Sequence, residues 1–413
     1  MGAELKHGRP LLNVHDSLDE LERLADTAGL EIVGRTHQRF DRPNLATFIG
    51  HGKVEEVKES IEDLEIDVVL FDDELSPRHQ RELEKAFGLE TKVLDRTALI
   101  LDIFAQHAST REGKLQVELA QLEYRIPRLT RMWTHLARQA GTGGGSVGLR
   151  GPGEKQIEMD RRMISQRLAV LKREINEVMA HRQRHRAKRQ QTELQTVAIV
   201  GYTNAGKSTL LNRLAGADVL SADMLFATLD PTTRRVDLPG GREVLFTDTV
   251  GFIQKLPTNI VAAFRATLEE IVEADIILHV ADATHPNVAA QIEAVEDTLA
   301  ELEVDKLPTV LAFNKVDARK PDSAPLPDMN GMPTVEISGL TGVGIRDLLL
   351  AIEAATEHYM DAATVFLPYR RGDLLSLFHE RGQVEREEHT GEGVRIFGRL
   401  PRRVLVYFEP YME

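Results

Sequence analysis

The stretch GYTNAGKST, Gly201 to Thr209, sets glycines, a lysine and hydroxyls in the order G-x-x-x-x-G-K-[ST], after the apolar run TVAIV and ahead of LLNRLAG. Such residues suit phosphate chemistry. Glycines let backbone N–H groups wrap a phosphate chain, Lys207 can reach the β- and γ-phosphates, and the Ser208 hydroxyl suits a magnesium ion. Tyr202, Thr203, Asn204, Ala205 and Gly206 complete the loop. Further along, DTVG supplies Asp248, Thr249, Val250 and Gly251. Asp248 can hold magnesium through water, and the Gly251 N–H can meet a γ-phosphate. LFATLDPTTRR, Leu225 to Arg235, offers Thr228, Thr232 and Thr233 as the threonine that closes over magnesium. Propensity does not choose among the three.

The base is selected by LAFNKVD, with Asn314, Lys315, Val316 and Asp317 after an apolar strand. The Asp317 carboxylate can accept from both the ring N–H and the exocyclic amine of guanine. Adenine offers neither there, and an unpaired buried charge costs several kcal/mol. ISGLTG then brings the backbone of Ser338, Gly339 and Leu340 to the base and its O6. One position is unusual. Many GTPases carry after DxxG a glutamine that orients the attacking water, whereas here Phe252 follows Gly251 and has no polar atom. Gln254 is the nearest amide. Slow hydrolysis that a partner accelerates is therefore expected. Arg234 and Arg235 lie beside the first switch and read as surface residues, so no arginine finger is assigned.

These residues need a frame. The 413 residues suffice for several domains, each with its own core. There is no cysteine, which excludes disulfides, thiolate zinc sites and thiol nucleophiles. The start MGAELKHGRP lacks an apolar signal core and no run of about 18 apolar residues occurs, so a cytoplasmic protein is expected. Residues 1–108 read as β–α repeats on a mostly parallel sheet, with strands at LLNV, EIVGR, DVVLFDD and TKVLD. FIGHGK, Phe48 to Lys53, reads as a glycine turn, and no second phosphate loop follows these strands.

Residues 109–194 carry two apolar seams: Leu115, Leu119, Leu122, Ile126, Leu129, Trp133 and Leu136, then Ile164, Leu168, Leu171, Ile175 and Val178. Between them GTGGGSVGLRGPGEK cannot continue a helix, which predicts an antiparallel helical hairpin with a glycine-rich tip. Gly148, Gly153 and Lys155 imitate a phosphate loop, but Glu154 interrupts the Gly-Lys-Ser/Thr order. Residues 195–360 form the nucleotide domain, and 361–413 a small α+β unit. The fold class is α/β and multidomain.

Net charge is −14, yet Arg111 to Gln190 holds 18 Lys and Arg against 8 Asp and Glu. An acidic average conceals a basic module. Arg150, Lys155, Arg182, Arg184, Arg186, Lys188 and Arg189 are its RNA-binding candidates, through counterion release on a phosphate backbone. A solvated helix end is the plainer reading of the last five.

FATLDPTTR, DTVGFI, NKVD and the linker GGGSVGLRGPGEKQIEMDRR make the chain resemble translational-type GTPases of the Era and Obg kind, and in whole-chain layout the HflX family. The resemblance implies Thr228 as the first-switch threonine, with Phe226, Ala227, Leu229 and Asp230 beside the nucleotide. It implies Ser208 and Thr228 as magnesium ligands, and Lys207, Gly251 and Thr228 as the catalytic set. It further implies a cytoplasmic GTPase that binds the large ribosomal subunit in its GTP form and helps split stalled or idle ribosomes, its hairpin tip near ribosomal RNA; separately, a monomer is expected. SGL stands where SAL is commoner, and glycine donates its backbone equally well. Two other readings use the same residues. A regulatory GTPase would dock a protein or membrane surface through the hairpin, leaving the basic tip dispensable. An RNA-remodelling NTPase would also use ATP, for which no second loop exists.

Overall fold

The computed structural model describes residues 1–5, 13–88, 90–129, 159, 162–178, 194–216, 225–226, 228–255, 265–329, 331–358 and 360–413. All seven RNA-binding candidates, together with Ala227 and the glycine-rich tip, lie outside them.

In the N-terminal region parallel strands β1 (Gly2–Leu5) and β2 (His37–Phe40) form one pair, and β3 (Val68–Phe71) and β4 (Lys92–Asp95) another. The backbone of Met1 joins them, donating to Leu70 O at 2.7 Å and accepting from the Asp72 N–H at 3.0 Å. Two expected strands differ among the described residues, Leu11 and Leu12 lying outside them. In LLNV, Asn13 caps α1 (Val14–Thr27), its side chain accepting from the His15 and Asp16 N–H groups, because a short polar side chain satisfies orphan helix donors. Strand pairing starts at His37, beyond EIVGR, where Val33 is exposed and has no core to face. FIGHGK is likewise a helix start: Gly50 is the N-cap of α2 (His51–Leu64). α3 (Pro77–Phe87) and α4 (Arg96–His107) follow, capped by Ser76 and Asp95.

α5 (Arg111–Leu129) leaves this region and meets a second helix, α6, over 162–178. Leu115, Leu171 and Ile175 are buried together, with Leu119, Leu122 and Val178 packed on them. Glu118–Arg167 and Glu123–Lys172 pair across the contact. The Tyr124 hydroxyl donates to Asp95 at 2.8 Å, fixing α5 to the N-terminal sheet.

The nucleotide domain is a six-stranded sheet in the order β10-β9-β8-β5-β7-β6, parallel except for β6. These strands are β5 (Gln195–Gly201), β6 (Thr232–Asp237), β7 (Glu243–Asp248), β8 (Ile276–Asp282), β9 (Thr309–Asn314) and β10 (Thr334–Glu336). Val197, Ile199, Ile276, Leu278, Val310 and Ala312 are fully buried, as continuous apolar strands covered on both faces must be. Strand order reverses at β5, and ligands of open α/β sheets bind at the carboxyl ends beside such a switch point. α7 (Lys207–Leu214) leaves that edge.

One core crosses the regions: Leu24, Leu101 and Phe104 pack with Val117 of α5 and with Tyr202, Phe226, Leu229 and Phe252 of the nucleotide domain. The C-terminal unit has the expected small sheet with one main helix: β11 (Met360–Pro368), β13 (Gly393–Pro401) and β12 (Gln383–His389), all antiparallel, under a helix at Gly372–Arg381. No helix among the described residues is long and apolar enough to cross a membrane.

Candidate nucleotide site

The loop between β5 and α7 is shaped for an anion. Asn204 and Gly206 have φ of 60° and 90°, left-handed turns of the kind from which backbone anion nests are built. A Cβ at Gly206 would lie 2.4 Å from Asn314 Nδ2, so only glycine fits. Gly201 is required for another reason: its Cβ would stand 2.1 Å from Val280 O on β8. Lys207 Nζ donates to Gly201 O at 3.1 Å and Tyr202 O at 2.9 Å, which leaves one of its three hydrogens for a phosphate. Burial lowers the Lys207 ammonium to about 8 against the pull of Asp248, with Lys315 lowering it further. A buried ammonium whose two hydrogen bonds go to carbonyls suits a further anion, and phosphate oxygens supply one.

Around Ser208 the switch residues converge. Its Oγ lies 2.7 Å from Thr228 Oγ1 and donates to Asp248 Oδ2 at 2.7 Å. Thr232 and Thr233 instead sit in β6, and Thr233 pairs with Thr247 across the strands at 3.0 Å. Burial raises the Asp248 carboxyl, opposed by Lys207 and Ser208, and its Oδ1 is buried with no partner. Two hydroxyls and an orphaned carboxylate oxygen fit a hydrated divalent cation. Gly251 comes close to the loop: a Cβ there would lie 2.9 Å from Thr203 Cα and 3.0 Å from Lys207 Nζ. Thr249 is turned away, its hydroxyl donating to Ile199 O at 2.7 Å.

The base side is tied to the phosphate side by Asn314. Its Nδ2 donates to Ala205 O at 2.8 Å and its Oδ1 accepts the Gly339 N–H at 2.9 Å. Lys315, in the left-handed region, reaches Asp282 at 2.8 Å. The Asp317 carboxylate is exposed and without a partner among the described residues, free for a base. Ser338 is fully buried, Leu340 is exposed, and Arg213 donates to the carbonyls of Gly339 and Leu340.

Phe252 is 4% exposed and belongs to the core shared with α4 and α5. Its N–H donates to Gly201 O at 3.0 Å and its carbonyl accepts the Thr203 N–H at 2.8 Å, zipping the second switch onto the phosphate loop. The Gln254 N–H donates to the Tyr202 hydroxyl at 2.9 Å. Sequence reasoning missed several partners: Asp282, Arg213, Lys255 bonded to Asp72 and Asp73, and Ser109 and Thr110 bonded to Asp230. Asp282 had a signal, since it ends β8 at the same sheet edge as the phosphate loop; the others are long-range.

A phosphate loop at the switch point, two hydroxyls and a carboxylate behind it, and a guanine-type carboxylate beside it define a P-loop GTPase. Residues 196–315 match a family described as 50S ribosome-binding GTPase. Residues 15–105 match GTP-binding GTPase N-terminal, and residues 107–189 GTP-binding GTPase Middle Region. The chain is 46% identical over 389 residues to GTPase HflX of Lacrimispora saccharolytica, covering 94% of this chain and 90% of that protein. To GTPase HflX of Escherichia coli (strain K12) it is 43% identical over 390 residues, covering 94% and 90%. To that of Magnetococcus marinus it is 48% identical over 368 residues, covering 89% and 84%. The chain belongs to the HflX family, and it binds and hydrolyses GTP.

Proposed function

We propose that this GTPase is a nucleotide-operated switch on the large ribosomal subunit, helping to dissociate stalled or idle ribosomes. The observation that carries the reading is the match of residues 196–315 to a family described as 50S ribosome-binding GTPase. The excess of 18 basic over 8 acidic residues from Arg111 to Gln190 supports it, because RNA phosphate is the partner such a surface suits. Arg150, Lys155, Arg182, Arg184, Arg186, Lys188 and Arg189 are the contacts we assign to ribosomal RNA, and the cytoplasm is the compartment that follows.

At the site, Lys207 and the loop N–H groups hold the β- and γ-phosphates, Gly251 N–H meets the γ-phosphate, and Asp317 pairs with guanine. Ser208 and Thr228 are the ligands we assign to Mg2+, with Asp248 behind them through water. When bound, the ion neutralises charge developing on the phosphate oxygens. Phe252 offers no atom to orient water, so the isolated protein is slow and the subunit supplies order or a donor. Contacts between the switches and γ-phosphate are lost on hydrolysis, which lowers affinity for the subunit. Co-sedimentation with purified large subunits tests this: retention with a non-hydrolysable GTP analogue and release with GDP is expected. Equal retention with both nucleotides, or none with either, would overturn it.

A further inference from the structure

The residues around Thr228 are fastened to α4 and to the start of α5. The Asp230 carboxylate is bound at the start of α5, accepting the Ser109 N–H at 3.0 Å, the Ser109 hydroxyl at 2.6 Å, the Thr110 N–H at 2.8 Å and the Thr110 hydroxyl. Approach this close needs Gly113, where a Cβ would stand 2.7 Å from Asp230 Oδ1. Burial alone would raise the Asp230 carboxyl, but the four donors outweigh it and hold it below the usual carboxylate range. The neighbouring residues are fastened to the same helices. Phe226 sits at a φ of 56°, a region costly for a bulky side chain, with its ring edge-on to Phe104 of α4 at 4.7 Å. Leu225 and Leu229 are buried in that core. Thr228, between the anchored Phe226 and Leu229, thus has its hydroxyl 2.7 Å from Ser208.

We infer that Asp230 is a positioning residue for the GTPase reaction: by clasping the N-terminus of α5 it holds the first switch closed, so that Thr228 is presented beside Ser208. The clasp favours the state that a triphosphate and its cation need, and it joins the nucleotide to the helix that leads into the basic region. It rests on Thr228 being the first-switch threonine. Since a ligand shifts an equilibrium only through differential contacts, loss of the clasp should weaken triphosphate binding and leave diphosphate binding alone.

The test is the ratio of dissociation constants for GDP and a non-hydrolysable GTP analogue, measured on the full chain at fixed Mg2+ by fluorescent-nucleotide titration. Asp230→Ala is expected to lower the preference for the triphosphate about tenfold, inside the usual range for coupled sites, with GDP affinity unchanged. Asp230→Asn, which keeps an acceptor oxygen, should lose less. The decisive variant lies 120 residues away: Ser109→Ala with Thr110→Val should shift the ratio in the same direction although it touches no nucleotide. An unchanged ratio in Asp230→Ala, including one in which both affinities fall together, overturns the proposal. So does a shift in Asp230→Ala that the Ser109/Thr110 variant does not share, since Asp230 would then act at the nucleotide. Thr228→Ala separates the premise: if it alone abolishes the preference, only the clasp fails, and if it changes nothing, the first-switch reading falls and takes the clasp with it.

Discussion

Replacing Phe252 by glutamine, the residue many GTPases use at that point, should make this protein less stable without making it faster. The Phe252 ring is buried in the core shared with Phe104, Tyr202 and Phe226, and its backbone is bonded on both sides to the phosphate loop. A glutamine at that position inherits the same backbone path and points its amide into apolar surroundings. Losing the ring's packing and burying an unmatched amide costs about 3 kcal/mol together. Urea denaturation of Phe252→Gln should show that loss, and single-turnover GTP hydrolysis without a partner should be unchanged or slower. A rate rising tenfold or more with stability intact would refute the reasoning, because the side chain would then reach the attacking water.

Three further outcomes follow from charge and burial. Burial lowers Lys207 to about 8 in the free protein, and phosphate stabilises its charged form, so GTP binding should take up a proton at pH values above about 8 and weaken as pH rises further. Calorimetry in buffers of different ionisation enthalpy reads this directly. His279, buried on β8, is lowered to about 3 by burial and by Lys207, so below the unfolded value of about 6.5 the unfolded chain holds an extra proton. Stability should fall by about 1.4 kcal/mol per pH unit from there toward 3, and His279→Leu should flatten that limb of a denaturation series. Asp317→Asn should turn base preference from guanosine to xanthosine nucleotides by about a hundredfold or more, since the amide now matches an oxo group where guanine has an amine; unchanged preference in competition binding would remove Asp317 from base recognition.

The site was legible where its chemistry is contiguous. GYTNAGKST, DTVG and NKVD each lie on one strand-to-loop turn, so spacing alone carries their geometry. The choice among Thr228, Thr232 and Thr233 was not open to pattern reading, because it depends on where β6 begins: residues 232 and 233 enter the sheet, leaving Thr228 on the loop beside Ser208. LLNV and EIVGR misled because segments of four or five residues with two or three apolar side chains are too short for a period to separate strand from cap or loop. Asn13 followed by Asp16 was a capping signal at the first of them. The bonds that hold the switches, Asp230 to Thr110 and Lys255 to Asp72, span 120 and 183 residues and leave no local trace. They are consequences of how α4 and α5 pack on the sheet.

Steady-state GTP turnover measured with and without purified large ribosomal subunits tests the central claim most directly. The buried, apolar Phe252 requires slow turnover alone and at least tenfold stimulation by subunits, with the response weakening as salt screens the basic region. Turnover equally fast in their absence would contradict both the missing water-orienting group and the ribosome as the partner that replaces it.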